Sequence, residues 1–294
     1  MFELNQPKGD TVFHPGHGGD ASNAAIAAAR QDASVGMVTA IGEDGFGQSF
    51  LDLWQREGID IAAVKRDPQA PTGLYFVTHG AAGHVFSYRR AGSAASRLAP
   101  DELPLDYIGG ARILHASGIS QAISTAAADA VFLAMHTIRA AGGLVSYDTN
   151  LRSRLWPIDR ARAVIHASAA LAHVLKTSSE DAATLTGLTD PGRIADFYLA
   201  NGAQIAIVTQ GAAGALVATA DRRQQIAALA VTPLDATGAG DTFDGAFLAE
   251  YIAHGDPFTA ALYANAAAGL ATTGYGAVAP MPRRAAVEAA LAAR

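Results

Sequence analysis

The chain has 294 residues, half of them hydrophobic and 16% charged, with a formal net charge of −6 and no cysteine. That length builds one large core, or a core with a small appendage, and excludes two equal domains and a disordered chain. The acidic balance excludes a generic nucleic-acid binder, and the absence of thiols excludes disulfides and thiolate metal sites, which fits a reducing cytoplasm.

The opening MFELNQPKGD is polar and has no apolar h-region, so no signal peptide is expected. Helical patterns at 24–31 and 46–57 flank an apolar run at 34–40 that reads as a buried strand. Runs at 73–79 and 84–88, separated by GAAG, read as a β-hairpin. A hairpin inserted here predicts a small β-lid, spanning about 71–93 with part of 1–17, on a single domain covering 1–294. Strand-like runs at 112–116, 144–148, 173–177 and 205–209 then alternate with helical patterns at 125–141, 160–170 and 191–200. A second GAAG, at 211–214, joins 205–209 to a further strand at 215–219, and helices at 241–254 and 257–272 close the body. Such alternation predicts an α/β fold, a mostly parallel sheet covered on both faces, with ligands at the carboxyl ends of its strands. No charged residue occurs between Pro257 and Pro282. The stretch is rich in Ala, Gly and Thr and includes Asn265, which favours a buried, tightly packed helix over a membrane span.

The strongest chemical signal is DATGAGDTFDGAFL, starting at Asp235. Glycines before a helix N-terminus let backbone N–H groups converge on one spot, and the helix dipole adds positive potential there. Asp241 stands at the mouth of this anion hole. On spacing alone it is either a base that accepts a proton from an attacking hydroxyl or a plain helix N-cap. The run is neither a Walker loop nor a GxGxxG fingerprint. The pairs His14/His17 and His79/His84 lack any metal-ligand spacing and read as ordinary surface or lid histidines.

Together with GGDASNAA at 18–25, DTNLRSRLW at 148–156 and VTQGAAG at 208–214, this run resembles the ribokinase-like (PfkB) carbohydrate kinases over essentially the whole chain. The resemblance implies a three-layer α/β/α sandwich with a β-lid, and a cytoplasmic enzyme using ATP and Mg²⁺, with a monovalent cation and an oligomer through the lid compatible with the family. It makes Asp241 the catalytic base and Gly238, Ala239 and Gly240 the anion hole. Thr209, Gly211, Gly214 and Asn265 fall on the nucleotide side, Gly19 and Asn23 on the sugar side.

Within the family, TGLYF at 72–76, YRRAGSAAS at 88–96 and DTNLR at 148–152 resemble the 2-dehydro-3-deoxygluconate (KDG) kinases. KDG carries a carboxylate, and an arginine fork is its usual partner. The resemblance places Arg90 and Arg152 on that carboxylate and Tyr75 and Tyr88 along the sugar. Strand neighbours point to opposite faces, so only one of Arg89 and Arg90 enters the site. The expected reaction is phosphorylation of the primary hydroxyl of KDG. A fructokinase or ribokinase acting on a neutral sugar, and a non-catalytic sugar-acid sensor, stay open.

Three features depart from the family pattern. Its Asn-x-x-Glu metal motif is met by Ser178 and Asp181, so Asp181 is the metal candidate, through water, with Glu180 beside it. Asp32 stands where a glycine often ends the first helix. The chain begins late, so that 2–6 is expected to be the tail of a shortened first strand, with Glu3 as its remaining acid.

Overall fold

The computed structural model describes residues 1–6, 9–80 and 83–293, without the side chains of His79, His84 and Phe86. The centre of the expected hairpin turn, 81–82, and the His79/His84 pair therefore lie outside the described residues.

Two short strands open the chain, β1 (Phe2–Gln6) and β2 (His14–His17), followed by α1 (Asp20–Ala29). Next come β3 (Thr39–Gly42), α2 (Gly45–Arg56), β4 (Val64–Asp67), and the hairpin strands β5 (Leu74–Gly80) and β6 (Gly83–Arg89). Short helices α3 (Ala94–Arg97) and α4 (Leu105–Gly109) lead to β7 (Ile113–Ser117), α5 (Gly118–Ala122), α6 (Thr125–Ala140) and β8 (Leu144–Asp148). After α7 (Ile158–Ala169) the chain runs through β9 (Val174–Ser178), α8 (Ser179–Thr186), α9 (Pro191–Ala200), β10 (Ile205–Thr209), β11 (Ala215–Ala218) and β12 (Arg223–Ile226). Helices α10 (Ala239–His254), α11 (Pro257–Ala271) and α12 (Arg284–Ala292) complete it.

The main sheet has six strands in the order β12-β11-β10-β9-β8-β7. Strands β7 to β10 run parallel, and β10, β11 and β12 form an antiparallel meander. Both faces are covered, which the alternation along β10 makes plain. Ala206 and Val208 pack with Met135, Ile165 and Ile194 of α6, α7 and α9. Ile205 and Ile207 pack with Phe243, Phe247 and Phe258 of α10 and α11. Successive residues of a strand point to opposite faces, so an unbroken apolar run is what a doubly covered strand requires.

Side-chain caps set the helix starts. Asp190 accepts from the Arg193 amide ahead of Pro191, and Asp256 accepts from the Phe258 and Thr259 amides ahead of Pro257. The charge-free helix α11 buries Ala260, Ala261, Ala264 and Ala267 against the core. Among the described residues no helix is long and apolar enough to cross a membrane.

A separate four-stranded sheet has the order β2-β1-β5-β6. It holds residues 2–6 as β1, parallel to β5 and antiparallel to β2. The run 34–40 does not form the strand expected there. Only a single bridge, Gly36 with Asp60, pairs its first part, and laddering with β4 begins at Thr39. An apolar cavity of about 220 Å³ lies between Met37, Val38 and Ile41 on one side and Leu114 and Ala116 of β7 on the other.

Helices α1 and α10 approach closely at Gly245. A Cβ there would fall 2.2 Å from the Ala24 carbonyl oxygen and 2.6 Å from Ala27 Cβ. Only glycine fits, and this contact carries α1 alongside the start of α10.

Candidate active site

The loop before α10 is tied by Asp235, whose carboxylate accepts from the Thr237 amide at 2.9 Å, the Thr237 hydroxyl at 2.6 Å and the Gly276 amide at 2.9 Å. Gly238 caps the helix at φ 77°, a left-handed conformation that suits glycine. This puts Asp241 third in the helix, in the first turn, rather than at the N-cap. First-turn amides have no helical carbonyl behind them. The Ala239 amide, however, donates to the Ala236 oxygen at 3.2 Å. Gly238 and Gly240 line the adjacent cavity of about 690 Å³, and Ala239 is not among its lining residues.

Asp241 also lines that cavity. Its Oδ2 accepts from Asn23 Nδ2 at 2.8 Å. Burial raises its pKa to about 7, reinforced by the charge of Asp20 and opposed by the Asn23 hydrogen bond and by Lys176. A carboxylate titrating near neutrality suits proton abstraction from a hydroxyl. Asn23 is 4% exposed, and its buried Oδ1 has no hydrogen-bond partner among the described residues. A buried amide oxygen left open in this way calls for an incoming donor such as a hydroxyl.

Around Asn23 the small sheet and the α1 start form one wall, with Gly19, Asp20, Tyr75, Tyr88 and Arg90 on the cavity. The Tyr75 hydroxyl donates to Glu3, and the Tyr75 and Tyr88 rings lie 6.1 Å apart. Burial pulls the Arg90 guanidinium below its ordinary pKa, while Asp20 supports its charge. Arg89 is exposed and stays outside the cavity lining. Arg152 is exposed and also lines the cavity, and its Nη1 donates to the Leu151 oxygen at 2.9 Å. It follows Asn150, which sits at φ 30° with its amide donating to Asp148 Oδ1 at 3.2 Å.

Ser178, Asp181 and Thr209 line the same cavity. Ser178 Oγ caps α8 by accepting from the Asp181 amide at 3.0 Å. Burial raises the pKa of Asp181, and its Oδ2 accepts from the Leu151 amide at 2.8 Å. Gly211, Gly214 and Asn265 lie outside the cavity lining. A Cβ on Gly214 would fall 1.9 Å from the Ile226 oxygen, and Asn265 Nδ2 donates to the Ala227 oxygen at 2.8 Å. Gly214 and Asn265 thus hold the end of β12 in place.

Sequence reasoning missed Asp20, Lys176 and Asp244. Lys176 Nζ donates to Asp148 Oδ2 at 2.8 Å and pairs with Asp244 Oδ2 at 3.1 Å. Asp148, Asp241 and Asp244 bring carboxylate oxygens within 4.8 Å of one another. A lysine inside the apolar run 173–177 was the available signal, because a charge in a doubly covered strand has to be paired.

The pattern of pfkB family carbohydrate kinases matches residues 5–284. The chain belongs to that family. It is a sugar kinase of the PfkB type, with the family's three-layer sandwich. A 2-dehydro-3-deoxygluconokinase of Thermoproteus tenax is 34% identical over 276 residues, covering 91% of this chain and 83% of that one. Fructokinase-2 of Oryza sativa subsp. japonica is 33% identical over 276 residues, covering 90% and 82%. Among solved structures, a fructokinase from Vibrio cholerae with fructose, ADP and calcium ion bound superimposes with a TM-score of 0.87 at 29% identity, covering 99% of this chain and 96% of that one.

Proposed function

We propose that this PfkB kinase transfers the γ-phosphoryl group of ATP to the primary hydroxyl of KDG. The observation that carries the sugar acid is Arg90, a half-buried guanidinium on the same cavity as Asp241, with the exposed Arg152 lining it too. Two arginines suit a carboxylate at the far end of an open-chain or cyclised sugar acid.

In this reading the hydroxyl gives its proton to Asp241 Oδ1 or Oδ2 as its oxygen bonds to the γ-phosphorus, and the bond from that phosphorus to the ADP oxygen breaks. The open Asn23 Oδ1 accepts from the sugar and holds it beside the base. Amides of Gly238 and Gly240 and the α10 N-terminus stabilise the charge on the transferring group. ATP lies along Thr209 toward β12, where Gly211, Gly214 and Asn265 shape the nucleotide side from outside the cavity. The donor set fits a divalent cation held mainly through water, since Asp181 offers one buried carboxylate and Ser178 is spent on its cap. When bound, Mg²⁺ neutralises phosphate charge. The small sheet carries Tyr75 and Tyr88, with Arg90 just past β6, and acts as a lid that excludes water.

A coupled ADP-release assay with KDG, fructose and ribose tests the reading. KDG should be turned over with the highest kcat/KM, and equal or better turnover of fructose would overturn it. One observation favours that neutral ketose. Asp20 lies close enough to Arg90 to support its charge, so the guanidinium already has an acidic neighbour.

A further inference from the structure

The mechanism above leaves unused a buried ionic group beside Asp241. Lys176 is 5% exposed, on β9 at the centre of the main sheet, and its ammonium bridges Asp148 of β8 and Asp244 of α10. Burial disfavours the ammonium, but the two carboxylates outweigh it and hold Lys176 charged. Asp244 follows Asp241 by three positions, so it lies one turn along the same helix face. The Nζ also lies 3.4 Å from where a Cβ on Gly240 would stand, against the first turn of α10. The arrangement looks like a cation site, three carboxylates within 4.8 Å of one another, but its cation is part of the chain.

We propose that Lys176 is a positioning residue for phosphoryl transfer, a built-in cation that sets the charge facing Asp241 and keeps Asp148 and Asp244 from competing for its proton. The proposal rests on Asp241 being the base. The groups that face Asp241 come from every element around it. Helix α1 supplies Asp20 and Asn23, β5 supplies Tyr75, β8 supplies Asp148, β9 supplies Lys176, and α10 itself supplies Asp244. His115 of β7 faces Asp148 and Lys176, and burial drives it down to about 4, so it stays neutral where the enzyme works. Lys176 supplies the positive charge in that set, while Arg90, on the same cavity, is supported by Asp20. Asp244 is itself pushed up by burial and drawn down by Lys176. Take the ammonium away and three carboxylates share one buried space, in which one or more must hold a proton.

The test is the pH profile of turnover in the full chain. Lys176→Met should move the acid limb up by about one pH unit, so that loss relative to wild type is about tenfold greater at pH 6 than at pH 9. Lys176→Arg should keep the limb near its wild-type position even if turnover falls. Asp244→Asn should move the limb down, and Lys176→Met with Asp244→Asn should return it toward wild type. A uniform loss across pH in Lys176→Met, with the limb also unmoved in Asp244→Asn, would overturn the proposal and leave Lys176 a structural ion pair. Should Lys176→Met fail to fold, which a thermal midpoint would reveal, the direction of the Asp244→Asn shift decides alone. A wild-type protein that phosphorylates no sugar would sink the kinase reading of the base instead. In that case a carbon-13 NMR titration of the Asp241 carboxyl in the same variants still reads the shift, upward for Lys176→Met and downward for Asp244→Asn.

Discussion

Asp241 shows how much one side chain owes to its surroundings. Replacing it with Asn should cut turnover by about 10³-fold while sugar binding, measured calorimetrically, changes little. Stability gives an independent check. The folded pKa of about 7 lies above the ordinary 3.8, so protonation favours the folded chain. The stabilisation is complete below the unfolded pKa and is lost as pH rises through about 7. Asp241→Asn does not suffer that loss, so its thermal midpoint should gain on wild type between pH 4 and pH 8 and hold steady above. Turnover of the wild type should fall as pH drops below about 7, where the base carries its proton. For the sugar acid, Arg152→Ala should lower kcat/KM for KDG by about 10- to 100-fold and that for fructose far less. Equal losses would mean that no carboxylate is read. These positions were legible through the family resemblance, since spacing alone left Asp241 open between a base and a helix N-cap and set Arg89 beside Arg90. Asp20 and Lys176 were not, since their meaning depends on neighbours 97 and 28 residues away, Ser117 and Asp148.

At the scale of elements, local rules were enough for long helices and central strands. Strands β8 and β10 and helix α9 fall where the apolar runs, the Asp190 cap and Pro191 put them. The miss at 34–40 has a tertiary cause. An apolar run becomes a strand only where a partner runs beside it, and β4 begins at Val64, opposite Thr39. Strand β12, with Arg223, Gln224 and Gln225, has no apolar alternation and is held by its ladder with β11. The Gly245 contact between α1 and α10 was equally invisible, since a helical glycine reads simply as a weak helix former. Gly245→Ala should cost about 1–3 kcal/mol by denaturant unfolding, because a methyl group has to be forced against the Ala24 carbonyl. Gly255→Ala, at φ 77° with open space around it, should cost only about 1 kcal/mol from backbone strain. If both cost the same, the close helix contact contributes nothing of its own.

For the whole molecule, the alternation of strand-like and helical runs already pointed to an α/β fold, and the main sheet carries an apolar core on each face. Placing the site needed the fold, which gathers Gly19, Asn23, Tyr75, Arg90, Arg152, Thr209 and Asp241 onto one cavity. The substrate is less legible than the fold, because relatives that differ in sugar stand at 34% and 33% identity. The glycine contact described above also bears on the proposed lid motion. Asn23 and Asp241 ride on two helices locked backbone to backbone, so the base and its orienting amide share one stationary frame. In the proposed mechanism strands β5 and β6 bring the sugar to that frame, and amide exchange should slow there on ligand binding while α1 and α10 exchange at one rate throughout. On the proposed mechanism, the small sheet is the part that moves in each cycle and the proton acceptor stands still.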